Sequence, residues 1–235
     1  MIRRRIWELD ALRGVAVLGM VFLHFLYDLH LMDLIEPIPS VFLLMQHGGT
    51  VFILLSGICV TLGSHPRRRG FTVFCCGMLC STVTAALYFM GYTQAGIIIF
   101  FGVLHCLGSC MMLWPLFSPL PGKLLAILGL GCILAGSWVS HSIPHALWFL
   151  LPLGYTFPGF ASSDYFPLFP NLGYFLLGAL LGKAIYPSQT TLFPNIDPHK
   201  AVVSFFCRCG RWSLPIYLLH QPLITLFLGL LPAVR

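Results

Sequence analysis

Apolar runs of about 20 residues alternate along the chain with short polar or proline-rich breaks, and the alternation repeats seven times. A helix rises about 1.5 Å per residue, so a run of that length reaches across roughly 30 Å of hydrocarbon. The pattern predicts membrane-crossing helices over 11–29, 39–62, 71–91, 97–117, 122–140, 167–186 and 213–232. Pro37 and Pro39 punctuate the first connection and Pro66 the second, while Pro119, Pro121 and Gly122 mark the turn between the fourth and fifth helices. The expected fold is an all-α polytopic transmembrane bundle of about seven spans, forming a single domain over 1–235.

Two connections are longer, 141–166 and 187–212. The first is too apolar for a solvated loop and too broken by proline for a full span. Residues 143–160 of it therefore read as a re-entrant or interfacial segment, and Trp148, Tyr155 and Tyr165 within 141–166 would sit at headgroup level.

Charge orients this bundle. Twelve of the thirteen Lys and Arg residues fall on one side of the seven-span reading: Arg3, Arg4, Arg5 and Arg13, then Arg67, Arg68 and Arg69, then Lys123, Lys183, Lys200, Arg208 and Arg211. Only Arg235 falls on the other side. Lys and Arg collect in cytoplasmic loops, so the N-terminus is expected in the cytoplasm of a multi-pass cell-membrane protein. The first helix, interrupted by Asp10 and Arg13, reads as its own insertion signal rather than a cleaved leader.

Composition excludes other classes. Hydrophobic residues make up 58% of the chain and charged residues 9%, with a mean hydropathy of +0.90, too little polar surface to coat a soluble globule. The net charge of +6 lies in loops that would face anionic lipid, so it implies no nucleic-acid partner. Most of the nine cysteines lie inside apolar runs, where a thiol acts as a small apolar group, and no disulfide or metal site is assigned.

An ionisable side chain inside a span is costly, so it must face the bundle interior and find partners. Helix 1 carries four. His24 follows Arg13 by eleven residues, which at about 100° per residue returns to within about 20° of the same face. Asp10 and Asp28 complete a polar stripe. His47 in the second span and His105 in the fourth should each lie roughly 12 Å below the outer boundary, with His24 at a comparable depth. Three imidazoles from three helices point to a polar cavity in the outer half of the membrane. Imidazole both accepts and donates a proton near neutral pH, which suits acid–base work on an amine or hydroxyl nucleophile. Tyr217, His220 and Gln221, in a last span interrupted by Pro215 and Pro222, are expected to line the lower part of that cavity. A set of buried histidines bonded to neighbouring carbonyls remains the plain structural alternative.

Five segments carry a family resemblance: RIWELDALRGVAVLGMVFLHFLYDL at 5–29, FILLSGICVTLG at 52–63, FGVLHCLG at 101–108, SDYFPLFPNLGYFLLGALLGK at 163–183 and GRWSLPIYLLHQPL at 210–223. In order and spacing they resemble the bacterial membrane proteins grouped with the heparan-alpha-glucosaminide N-acetyltransferase catalytic domain. The opening LDALRG, with a histidine ten residues after its glycine, is also similar to the acyltransferase-3 family. The resemblance implies transfer of an acetyl group from cytoplasmic acetyl-CoA to an extracytoplasmic glycan or lipid-linked acceptor. On that reading His24, His47 and His105 are catalytic candidates, with His24 first. Arg13, Asp10, Tyr217 and His220 would hold acetyl-CoA, and Asp28, Asp164 and Tyr165 the acceptor. A small proton-coupled transporter and a non-catalytic partner of a membrane complex are the competing readings, and homo-oligomerisation stays open.

Overall fold

The computed structural model describes residues 6–141 and 147–230. The cluster Arg3, Arg4 and Arg5, the residue Arg235 and positions 143–146 of the outer segment lie outside the described residues. The described residues form eight α-helices in order: α1 (Trp7–Leu31), α2 (Pro39–Leu62), α3 (Pro66–Phe89), α4 (Val103–Phe117), α5 (Gly122–Ser140), α6 (Leu168–Ile185), α7 (Ala201–Arg211) and α8 (Ser213–Gly229). Short 3₁₀ turns cover Ala95–Ile97 and Trp148–Leu153. Among the described residues the fold is all helical apart from one isolated parallel bridge, Phe101 with Tyr165.

Among the described residues five helices, α1, α2, α3, α5 and α6, are long and apolar enough to cross a membrane, and the chain is a membrane protein. The remaining two of the expected spans are apolar but shorter, 15 residues in α4 and 17 in α8. A helix was expected from 97, yet α4 begins at Val103. The cause is visible in the backbone hydrogen bonds before it. Ser81 and Ser162 donate to the carbonyls of Ile99 and Ile98, Ser163 donates to that of Ile97, and the amide of Ile99 donates to Thr84. The Phe166 amide then donates to Phe101 at 2.8 Å. Backbone polar groups held in this way from outside have no need of a helix, and non-helical backbone survives in a membrane protein only when so satisfied.

The chain divides into two compact units, Met1–Phe52 with Ser188–Arg235, and Ile53–Pro187. In the first, α7 was not foreseen: it lies within the stretch read as the connection 187–212. It is amphipathic, burying Cys207 and Gly210 while Arg208 and Arg211 are exposed. Two glycines allow it to cross α1 closely. A Cβ on Gly14 would run into the carbonyl oxygen of Phe206, and one on Gly210 into that of Asp10. Glu8, buried at the start of α1, accepts hydrogen bonds from the Thr191 hydroxyl and the Leu192 amide, both at 2.8 Å, and so ties the preceding segment to the same helix. Elsewhere α1 leaves Leu12, Val15 and Phe22 more than half exposed, as lipid-facing side chains should be.

In the second unit α3 packs along α4, and α5 along α6. Gly57 and Gly178 let the latter half of α2 meet α6, because a Cβ on either would strike the carbonyl of Phe175 or Leu54. Small residues at helix contacts of this kind are how membrane helices gain close packing.

Candidate functional site

The polar stripe predicted on α1 faces α8. Arg13 donates from Nη2 to the hydroxyl of buried Ser213, 2.9 Å away. Further along, the rings of His24 and His220 approach edge to face with centroids 4.9 Å apart. Beyond them Gln221 donates from Nε2 to Asp28 Oδ2 at 2.7 Å. The contacts advance in the same sense on both helices, from 13 and 213 to 28 and 221, so α1 and α8 run parallel. Residues 213, 217 and 220 share a face of α8 at about 100° per residue, which explains why this helix answers the stripe on α1 over several turns.

Each polar group here has a defined role in the geometry. Asp28 is 8% exposed and would be costly to bury alone, and Gln221 supplies its hydrogen bond. His220 bonds through Nδ1 to the carbonyl of Tyr217, its own helix's preceding turn. A carbonyl only accepts, so Nδ1 carries the hydrogen and Nε2 of the neutral ring presents a lone pair. The Tyr217 ring lies 5.4 Å from that imidazole. His24 is half-buried. The Asp10 backbone lies against Gly210, beside the Arg13 end of the stripe.

The other expected site residues are placed differently. His47, also in the first unit, is exposed on α2 and donates from Nδ1 to the carbonyl of Leu43 at 2.9 Å. His105 belongs to the second unit and is 2% exposed. Its Nδ1 accepts the Gly102 amide at 3.2 Å, leaving the hydrogen on Nε2, which faces Ser81 Oγ at 3.4 Å. Phe74 meets its ring edge to face and Phe101 stacks on it. Gly77 packs on the same ring, since a Cβ there would come within 2.9 Å of Nδ1. Both nitrogens of His105 are therefore used inside that unit.

Asp164 and Tyr165 close the outer segment onto the helices. Asp164 accepts the Val103 amide at 3.0 Å, which places a carboxylate at the positive end of α4. Tyr165 donates to the carbonyl of Leu151 at 2.8 Å and packs on Phe160, and burial pushes its phenol up to about 12.

Gln221 was expected beside Tyr217 and His220, whereas Ser213 and Glu8 were not singled out. The seven-residue interval between Ser213 and His220 signals a shared helix face, whereas nothing local marks Glu8 as the anchor of a segment 183 residues away.

No curated protein and no solved structure matches the chain. A family model does, described as heparan-alpha-glucosaminide N-acetyltransferase, catalytic, and it spans residues 5–222. The match runs from the start of α1 to just past Gln221, so it contains every residue of the α1 and α8 stripe. The chain belongs to the heparan-alpha-glucosaminide N-acetyltransferase catalytic family, and that membership implies an N-acetyltransferase embedded in a membrane.

Proposed function

We propose that this protein carries an acetyl group across a membrane, taking it from acetyl-CoA on the cytoplasmic side and delivering it to a sugar or cell-envelope acceptor on the other. The observation that carries the reading is the approach of His24 to His220 inside the polar seam of α1 and α8, in a chain whose family is defined by acetyl transfer.

The seam divides by chemistry. At one end Arg13 offers a planar guanidinium, suited to bidentate contact with the phosphates of CoA, with Asp10 one turn away to orient it. This end adjoins α7 with Arg208 and Arg211, in keeping with a cytoplasmic nucleotide site. At the other end Asp28 supplies a carboxylate for hydroxyl or amino groups of the acceptor. Between them Tyr217 and His220 would border the acyl-bearing part of acetyl-CoA.

In the reaction the acceptor's nitrogen or oxygen attacks the thioester carbonyl. A C–N or C–O bond forms, the C–S bond breaks, and the electron pair leaves on the CoA sulfur. His24 takes the proton released by the nucleophile, a role worth typically 10² to 10⁴ in rate. His24 is favoured over His47 and His105 because His105 spends both nitrogens within its own unit and His47 is exposed on α2. Asp164 and Tyr165 remain proposals for acceptor contact from the outer segment.

Thermal unfolding of the purified protein in detergent tests the donor half of this reading. Acetyl-CoA at about 100 times its dissociation constant should stabilise the fold by about 2.7 kcal/mol. A transporter of unrelated solutes would show no such shift.

A further inference from the structure

Among the described residues, two buried side-chain atoms on α8 have no hydrogen-bond partner, Nε2 of His220 and Oε1 of Gln221. The opposite atom of each side chain is engaged, His220 Nδ1 with the Tyr217 carbonyl and Gln221 Nε2 with Asp28. Both orphans are therefore acceptors. Buried acceptors are rarely left unpaired, and a part in catalysis is one reason for such a group to persist. The group presented to His220 is the ring of His24, edge to face at 4.9 Å. The titratable groups that α1 brings to this place are His24 and Asp28, and α8 adds Tyr217.

We infer that His220 is a positioning residue for His24, with its Nε2 accepting the hydrogen bond of the His24 N–H during acetyl transfer. The inference rests on the acetyltransferase reading above. The Tyr217 carbonyl holds the hydrogen of His220 on Nδ1, so Nε2 stays an acceptor. A bond from His24 to that atom leaves the second nitrogen of His24 with its lone pair toward the acceptor. When His24 takes the acceptor's proton it becomes an imidazolium, and the bond to His220 then holds a charged donor, which strengthens it. The proton stays on His24, His220 remains neutral, and the CoA thiolate leaves with the electron pair of the broken C–S bond.

Two substitutions separate this role from packing. In His220→Asn the shorter amide can still donate to Tyr217 but offers nothing at the Nε2 position. In His220→Gln the longer amide places a carbonyl oxygen there, restoring an acceptor that does not titrate. The full-length protein in detergent is assayed with radiolabelled acetyl-CoA and D-glucosamine as the acceptor probe. The Asn variant should lose roughly 10- to 100-fold in kcat, the scale of a lost hydrogen bond to a charged group. The Gln variant should recover most of that loss, and His24→Ala combined with His220→Asn should be no slower than His24→Ala alone.

Wild-type kcat in the Asn variant, equal impairment of both variants, or a further fall in the double variant would each overturn the inference. If His220→Asn does not fold, histidine NMR of the wild-type protein decides: a single fixed tautomer at His24 supports the bond, and a mixture of tautomers overturns it. A wild-type protein that transfers no acetyl group brings down the acetyltransferase reading itself, whereas an active wild type with an indifferent Asn variant brings down only the role of His220.

Discussion

Arg13 and Ser213 are joined by a 2.9 Å hydrogen bond between the first and last helices, although 200 residues separate them in the chain. A guanidinium carries five donors in a planar fork, more than one hydroxyl can use. Replacing Arg13 by Ala should weaken binding of CoA by roughly 10- to 100-fold, the scale of one or two charge-assisted bonds. Calorimetric titration of CoA into the purified variant measures this. Unchanged affinity would reduce Arg13 to a tie between α1 and α8.

The crossing of α1 and α7 depends on two missing side chains. Gly210→Val would drive a branched side chain into the Asp10 carbonyl, so the helices must separate. Overpacking of this kind costs typically about 1–3 kcal/mol. The variant should unfold at a lower temperature in detergent, and an unaltered midpoint would mean that α7 is not docked on α1.

Asp164 ties the outer segment to α4 by accepting the Val103 amide. Loss of such a cap costs about 0.5–2 kcal/mol. Asp164→Ala should therefore lower thermal stability while leaving the affinity for CoA unchanged. A variant with intact stability and a raised KM for the acceptor would instead give Asp164 a direct part in substrate binding.

Tyr165 gives a pH dependence of definite sign. Its phenol titrates near 10 in an unfolded chain and is pushed up to about 12 here by burial. Between those values the unfolded chain gives up the proton first, so stability is full below about pH 10 and falls as pH rises toward 12. Removing the phenol in Tyr165→Phe should flatten that alkaline decline in denaturation measured across the range, while an equally steep decline would assign it to other groups.

The helices were legible because hydropathy is local: seven apolar runs predicted helices that the structure contains, with most boundaries within a few residues. The stripe Asp10, Arg13, His24 and Asp28 was legible because helical periodicity places it on one face whatever lies opposite. What lies opposite was not legible, since the meeting of Arg13 with Ser213 and of Asp28 with Gln221 depends on how distant helices pack. Two errors had local causes. The helix α7 was hidden because Lys200, Arg208 and Arg211 made its stretch look like a basic loop, although Val203, Phe206, Cys207 and Gly210 recur at helical spacing. The residues before Val103 are apolar enough for helix, yet serines and a threonine on other segments take up their backbone groups. The approach of His24 to His220 was the least readable of all, because it joins two imidazoles assigned to separate tasks.

The central claim is that His24 serves acetyl transfer from acetyl-CoA. Its most direct test compares wild type and His24→Ala, both shown to be folded by their thermal transitions, for movement of label from acetyl-CoA to D-glucosamine. The account predicts transfer by the wild type and a loss of at least about 100-fold in the variant. Transfer by His24→Ala at the wild-type rate would contradict it.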